Sequence, residues 1–237
     1  MPELLQMIGI TQPIFHSDDL YVHSLKCLDI AEDSVKIAAL FHDLGKVKTI
    51  TKDEKGTHFY GHDVEGAAMV EEILTRLKFP KLEVKRNSNL VRWHMFFYPS
   101  AQWRKDNPVD FDDVSGGGWT DAAVRRFIRK VGEDAIEDLF RLRIADATSN
   151  PKSNFDPKEI EVFSNRISDI RSKDMVIKIS DLDITGEDLI SINVPTGPIM
   201  GEVLNAILEI VIDDPGMNRK DLLLAAAKDF YNKKISN

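Results

Sequence analysis

Four of the six histidines of this chain, His23, His42, His62 and His94, fall where helical patterning calls for an apolar residue or a helix start. Asp43 follows His42 directly inside "LFHDLGK", and Asp146 shares a helix face with Leu139 and Leu142. Burying an unpaired polar group costs about 2–7 kcal/mol, so each of these needs a partner. Imidazole and carboxylate are the ordinary ligands of Zn²⁺, Fe and Mn²⁺. Neighbouring helical residues diverge by about 100°, so His42 and Asp43 could edge one ion from adjacent angles. Taken singly, each residue has a plainer reading: a lone histidine on an apolar face is a hydrogen-bonded core residue, and Asp146 a partner of Arg143. As a set they outnumber the cations available to pair with them.

Around this set lie residues suited to phosphate. Lys46, four after His42, is a candidate phosphate contact, or else a last-turn lysine facing a helix C-terminus. Arg143, three before Asp146, could grip a phosphate with two parallel N–H donors. The run "VRRFIRK", with Arg125 and Arg126, reads first as a solvated face. Gly45 and Gly61 are close-approach or turn glycines. Trp93, Phe96, Phe97 and Tyr98 could stack on a base or fill the core. Asp181 and Asp183 have the spacing of a carboxylate pair but read as turn and helix-start residues.

The elements that must position these groups are almost all helical by periodicity. One helix begins at Asp18–Asp19, with Leu20, His23, Cys27 and Ile30 on one face. A second begins after Asp33 or Ser34 and is apolar on nearly every side from Val35 to Phe41, which makes it central. "KTITKDEKGTHFYG" alternates like a hairpin about Asp53–Gly56. Further helices are predicted over about 63–77, 82–96, 121–130, 133–148, 157–172, 186–190, 198–212 and 220–232. The stretch from Tyr98 to Thr120 reads as a lid or mobile insert, and "SNPKSNFDPKE", with two prolines, as a domain boundary.

Composition narrows the class of protein. The chain has 237 residues, 43% of them hydrophobic, which is enough for a substantial core. A net charge of −8 argues against a long-range field drawing in nucleic acid. No apolar run reaches the roughly 20 residues of a membrane span, the N-terminus lacks the pattern of a signal peptide, and a single cysteine, Cys27, fits a reducing cytoplasm.

The ordered set His23, His42-Asp43 in "HDLGK" and Asp146 in "RIADA" resembles the HD-domain metal-dependent phosphohydrolase superfamily. "DDLYVHSLKCLD", "HFYGHDVEGAAMVEEILTRLKFP", "TDAAVRRFIRKVGEDAIEDLFRLRIADA" and "LDITGEDLI" extend the likeness to the HD-containing part of bacterial tRNA nucleotidyltransferases, the CCA-adding and poly(A)-polymerase-like enzymes. The resemblance implies an all-α fold: an HD-domain helical bundle with a short β-hairpin and a C-terminal helical extension. It implies an HD domain over residues 1–150 and, over 151–237, a helical domain like the body and tail of those enzymes. Their nucleotide-adding head would precede the HD domain, so CCA addition is not expected of this polypeptide alone.

The same resemblance implies that His23, His42, Asp43 and Asp146 hold a divalent metal. His62 and His94 would hold a second, with Asp43 bridging, although Trp93-His94 stands where the family often has two consecutive histidines. One or two ions of Mn, Ni, Co, Fe, Mg or Zn are expected. Asp43, Lys46 and Arg143 are the catalytic candidates, and Lys46, Arg125, Arg126 and Arg143 the substrate-binding ones, Arg125 and Arg126 matching a "VRR" in the relatives. The implied reaction is hydrolysis of phosphorylated nucleotides or RNA ends by a metal-activated water: phosphatase, 2′-nucleotidase or 2′,3′-cyclic phosphodiesterase. A deoxynucleotide phosphohydrolase is an alternative. A tRNA- or partner-binding module with a vestigial metal site is another, its grip on tRNA weak because residues 181–237 hold ten acidic against five basic side chains.

Overall fold

Caps and chain breaks set the element order. The computed structural model describes residues 1–12, 18–54, 56–96, 119–153, 155–173 and 176–235. A short helix, α1 (Pro2–Leu5), precedes α2 (Leu20–Ile30). Asp19 caps α2, one carboxylate oxygen accepting from the Val22 amide at 2.8 Å and the other from the Gly9 amide at 2.9 Å. Leu20, His23 and Cys27 are buried as the periodicity predicts, but Ile30, at the helix end, is 46% exposed. Helix α3 (Lys36–Phe41) follows a 3₁₀ turn at Asp33–Val35 and buries Val35, Ala38, Ala39 and Phe41.

A single helix through His42-Asp43 to Lys46 is not what forms. Helix α3 stops at Phe41, residues 42–45 turn, and a four-residue helix, α4 (Lys46–Thr49), starts afresh. The turn is tightened by bonds from Leu44 N to Phe41 O and from Lys46 N to Asp43 O, both 3.0 Å. Gly45 explains the close packing here. A Cβ on it would lie 2.0 Å from the His62 carbonyl oxygen and 2.5 Å from the Gly66 amide nitrogen, so only glycine lets this turn lie against the next long helix. Lys46 therefore opens a helix instead of closing one.

Strands β1 (Thr51–Asp53) and β2 (Gly56–His58) pair antiparallel, Thr51 opposite His58 and Asp53 opposite Gly56. The expected hairpin is present, and it leads to α5 (His62–Arg76) through Gly61. Gly61 has φ +76° with open space around it, so it is a turn glycine, unlike Gly45. A tight turn, with Phe79 N bonded to Leu74 O at 3.0 Å, joins α5 to α6 (Lys81–Trp93), and the two helices pack together. Among the described residues the remaining helices are α7 (Asp121–Val131), α8 (Ile136–Ser149), α9 (Lys158–Ser172), α10 (Gly186–Ser191), α11 (Pro198–Asp213) and α12 (Lys220–Ile235). The fold is all-α, with one small hairpin among the described residues, as expected. The predicted lid, Tyr98–Thr120, lies outside the described residues except for Trp119 and Thr120.

The chain forms two compact units, Met1–Tyr98 with Val131–Glu161, and Pro99–Lys130 with Val162–Asn237. This differs from a division at residue 150, because α7 groups with the C-terminal helices. In the first unit, Leu20, Ala38, Leu44, Val70, Leu90, Leu139 and Leu142 form a core around α3, which packs against α2, α6 and α8. In the second, Val203, Ile207, Leu208, Val211 and Ile212 of α11 pack with Leu189, Leu223 and Ala227. Asp181 ends a 3₁₀ turn, its carboxylate accepting from the Ile177 and Lys178 amides, in keeping with a turn role.

Candidate metal centre

The first unit gathers His23, His42, Asp43, His62, His94 and Asp146 from five places in the fold. His23 comes from α2 and Asp146 from α8, while His42 and His94 are the first residues past α3 and α6. His62 is the first residue of α5, and Asp43 lies in the turn after α3. All four histidines and Asp43 are buried, and the side chain of Asp146 is 15% exposed.

Local structure sets the chemistry of three rings. His42 Nδ1 lies 2.8 Å from Ala39 O, His62 Nδ1 2.8 Å from Phe59 O, and His94 Nδ1 2.7 Å from Val91 O. Each carbonyl is three residues earlier. For His42 and His94 it belongs to a last helical turn, where carbonyls lack onward helical partners. A carbonyl only accepts, so each Nδ1 carries the proton and donates it, leaving Nε2 with its lone pair. Those Nε2 atoms on His42, His62 and His94 are buried and have no hydrogen-bond partner. Such an orphan is costly unless something else takes the lone pair.

Asp43 stands between them. Its Oδ2 lies 3.3 Å from His42 Nε2 and 3.7 Å from His23 Nε2, and its Oδ1 3.5 Å from His62 Nε2 and 3.7 Å from His94 Nε2. Two groups of potential metal ligands thus share this carboxylate: His23, His42 and Asp43, and Asp43, His62 and His94. Ligand atoms at about 2.0–2.2 Å from one ion lie about 2.8–3.6 Å apart, close to these separations. Nitrogen and carboxylate donors of this kind fit a divalent transition metal.

Asp146 adjoins the first group, with Oδ1 3.1 Å from His23 Nε2 and 3.5 Å from His42 Nε2. Its other oxygen accepts from Arg143 at 3.2 Å, and the Arg143 guanidinium lies 5.7 Å from the centre of the Phe155 ring. Ser149 was not indicated by the sequence. Its hydroxyl donates to Asp146 O at 2.7 Å and so accepts from His23 Nδ1 at 3.3 Å, leaving His23 Nε2 for the cluster. Only its i, i+3 spacing from Asp146 could have signalled it.

Lys46 donates to Asp43 Oδ2 at 2.7 Å and lies 5.5 Å from the centre of the Phe59 ring. Burial would raise the Asp43 carboxyl, but the Lys46 ammonium and His42 hold it well below the usual carboxylate range. Burial opposes ionisation of Asp146 too, and His23 and His42 outweigh it, leaving that carboxyl well below its usual range. Burial lowers His62, further helped by His94 and Lys46.

Arg125 and Arg126 belong to the second unit and are bound to α11. Arg125 donates to the Ile212 carbonyl at 2.8 Å, and Arg126 pairs with Glu209 at 2.9 Å and Asp213 at 2.7 Å. Among the described aromatics, Trp93 carries the Arg92 guanidinium 4.7 Å from its ring centre, and Phe96 packs on Phe140. Phe97 and Tyr98 lie outside the described residues.

A helical bundle with a buried His/His-Asp/Asp cluster at its centre defines the class, and comparison with known proteins gives the family. The HD domain matches residues 16–150, more than half of the 237 residues, and the chain belongs to the HD domain family. HD domains bind divalent metal ions. Residues 120–227 match the description "tRNA nucleotidyltransferase domain 2 putative". The A-adding tRNA nucleotidyltransferase of Deinococcus radiodurans is 30% identical over 227 residues, covering 88% of this chain and 46% of that protein. The CC-adding tRNA nucleotidyltransferase of Thermus thermophilus is 27% identical, covering 88% and 44%. A multifunctional CCA protein of Nitrosococcus oceani is 35% identical over 122 residues, 46% of this chain and 30% of its own length. The chain therefore resembles the HD-containing portion of tRNA nucleotidyltransferases and spans less than half the length of these relatives. No helix among the described residues is long and apolar enough to cross a membrane.

Proposed function

We propose that this protein is a metal-dependent phosphohydrolase acting on nucleotides or RNA ends, with Asp43 serving two ions. The observation that carries the reading is the set of three buried, unpartnered Nε2 atoms, two of them on one side of the Asp43 carboxylate and the third, with His23, on the other. His23, His42, Asp43 and Asp146 would hold one ion and Asp43, His62 and His94 the other. Divalent ions there supply Lewis acidity and a water of near-neutral pKa for attack on phosphorus. Lys46 presents an ammonium beside Asp43, placed to meet charge on a phosphoryl oxygen. Arg143 orients Asp146, and its partly exposed guanidinium can reach a second phosphate oxygen.

The relatives are named for adding nucleotides to tRNA, so a tRNA end belongs among the first substrates tried. Purified protein is stripped of metal, reloaded with Mn²⁺, Ni²⁺, Co²⁺ or Mg²⁺, and given 2′,3′-cyclic AMP, 2′-AMP, deoxynucleotides and tRNA ends. Hydrolysis of at least one, absent from the stripped protein, is expected. Failure of every metal on every substrate contradicts the reading. Preferential turnover of 5′-deoxynucleotides would make it a deoxynucleotide phosphohydrolase instead.

A further inference from the structure

The N-terminal arm, residues 1–12, carries a polar group that the metal centre does not account for. Met7 is fully buried, Leu20 N donates to Ile10 O at 2.9 Å, Gly9 N donates to Asp19, and Thr11 pairs with Asp19 as a β-bridge. This anchors the arm to the start of α2, the helix that carries His23, and sets Gln12 against Lys46. Gln12 Oε1 lies 2.7 Å from Lys46 Nζ. An ammonium only donates, so the atom facing it is the amide oxygen, and the amide nitrogen is directed elsewhere. That nitrogen, Nε2, is buried and has no hydrogen-bond partner. Residue 12 lies before the region matched by the HD domain, which begins at residue 16.

We propose that Gln12 is a phosphate-binding residue that acts with Lys46, their N–H groups forming a two-donor site for an oxygen of the substrate's phosphate group. The proposal rests on the reading of this unit as a phosphohydrolase. An ammonium has three N–H groups, and two are assigned here, to Asp43 Oδ2 and Gln12 Oε1, each at 2.7 Å. The third belongs to an ammonium already bonded to Asp43, and the Gln12 amide nitrogen shares its carbon with the oxygen that Lys46 grips, so both donors lie close to Asp43. Lys46 sets a positive charge beside the carboxylates of Asp43 and Asp146, and divalent ions held there would make the pocket net positive, which would select an anionic acceptor over a neutral carbonyl. Gln12 thus has two tasks: its oxygen holds Lys46 on Asp43, and its nitrogen meets the phosphate.

The test uses the full chain loaded with Mn²⁺ and inorganic phosphate as the probe, followed by calorimetry. Gln12→Ala removes both tasks. Gln12→Glu keeps an acceptor for Lys46 but replaces the donor with a negative charge. Phosphate binding is expected to weaken about tenfold or more in Gln12→Ala, as for a lost hydrogen bond to a charged group, and further in Gln12→Glu. Mn²⁺ content and helical content by circular dichroism are expected to stay at wild-type values. Equal phosphate affinity in all three proteins, no phosphate binding by the wild type, or loss of Mn²⁺ from Gln12→Ala would each overturn the proposal. Gln12-dependent phosphate binding by a protein that hydrolyses nothing would leave this site standing and remove the hydrolase reading. Turnover inhibited equally by phosphate in wild type and Gln12→Ala would do the reverse.

Discussion

The histidines of the first unit and the arginines of the second differ in whether their hydrogen-bonding atoms are used. On α7, Arg125 holds the Ile212 carbonyl, Arg126 holds Glu209 and Asp213, and Arg129 holds Glu209 at 2.6 Å and Asn205 at 2.9 Å. These bonds tie α7 to α11 and explain why α7 groups with the C-terminal helices. In the first unit, His42, His62 and His94 each use Nδ1 on a backbone carbonyl and leave a buried Nε2 open toward Asp43. A charged group with every partner in place is evidence of packing. Buried lone pairs converging without partners are evidence of a ligand site.

The sharpest way to break this contrast is to remove the carboxylate on which the open atoms converge. Asp43→Ala is expected to lower both metal occupancies and to reduce turnover on the order of a thousandfold or more, with helical content by circular dichroism unchanged. Retained turnover would show that the open Nε2 atoms are not the reactive centre.

Asp138 supplies a control inside the first unit, because it is buried but fully partnered. Ser34, Arg86 and Arg141 all donate to it, linking the turn before α3 to α6 and α8. Asp138→Asn is expected to lower the unfolding free energy by about 1–3 kcal/mol without loss of metal. Burial would raise the Asp138 carboxyl, but the hydrogen bonds from Arg86 and Ser34 lower it. Its contribution is therefore complete above the ordinary aspartate pKa of about 4 and is lost as pH falls through the lower folded value. Denaturation curves of wild type and variant are expected to converge in acid and separate near neutrality.

The smallest effect is expected in the second unit. Arg126→Ala removes a partly exposed ion pair worth about 0.2–1 kcal/mol and is expected to leave metal content and KM unchanged. A raised KM would place Arg126 on the substrate.

Much of this was legible in the sequence, for identifiable reasons. His23, His42 and Asp146 stand where periodicity demands apolar residues, and that mismatch marks them before any coordinates are known. The helices follow from the same periodicity, and Asp19 from its capping chemistry. The break at residues 42–45 was hidden because it depends on how closely Gly45 lies against α5, a contact made across the fold. The division of the two Asp43 oxygens between two histidine pairs depends on side-chain rotamers, which spacing does not encode. Gln12 sits on no periodic face and reaches Lys46 only through the anchored arm. Grouping of α7 with the C-terminal helices was masked by the proline-rich stretch near residue 151, a stronger local signal than the long-range arginine pairs.

That the two histidine groups sharing Asp43 would each hold an ion is the central claim, and metal stoichiometry tests it most directly. Titration of stripped protein with Mn²⁺ is predicted to give two ions per chain in the wild type, and one in His94→Ala and in His23→Ala. A single ion in the wild type, bound with the same affinity in His94→Ala, would contradict it.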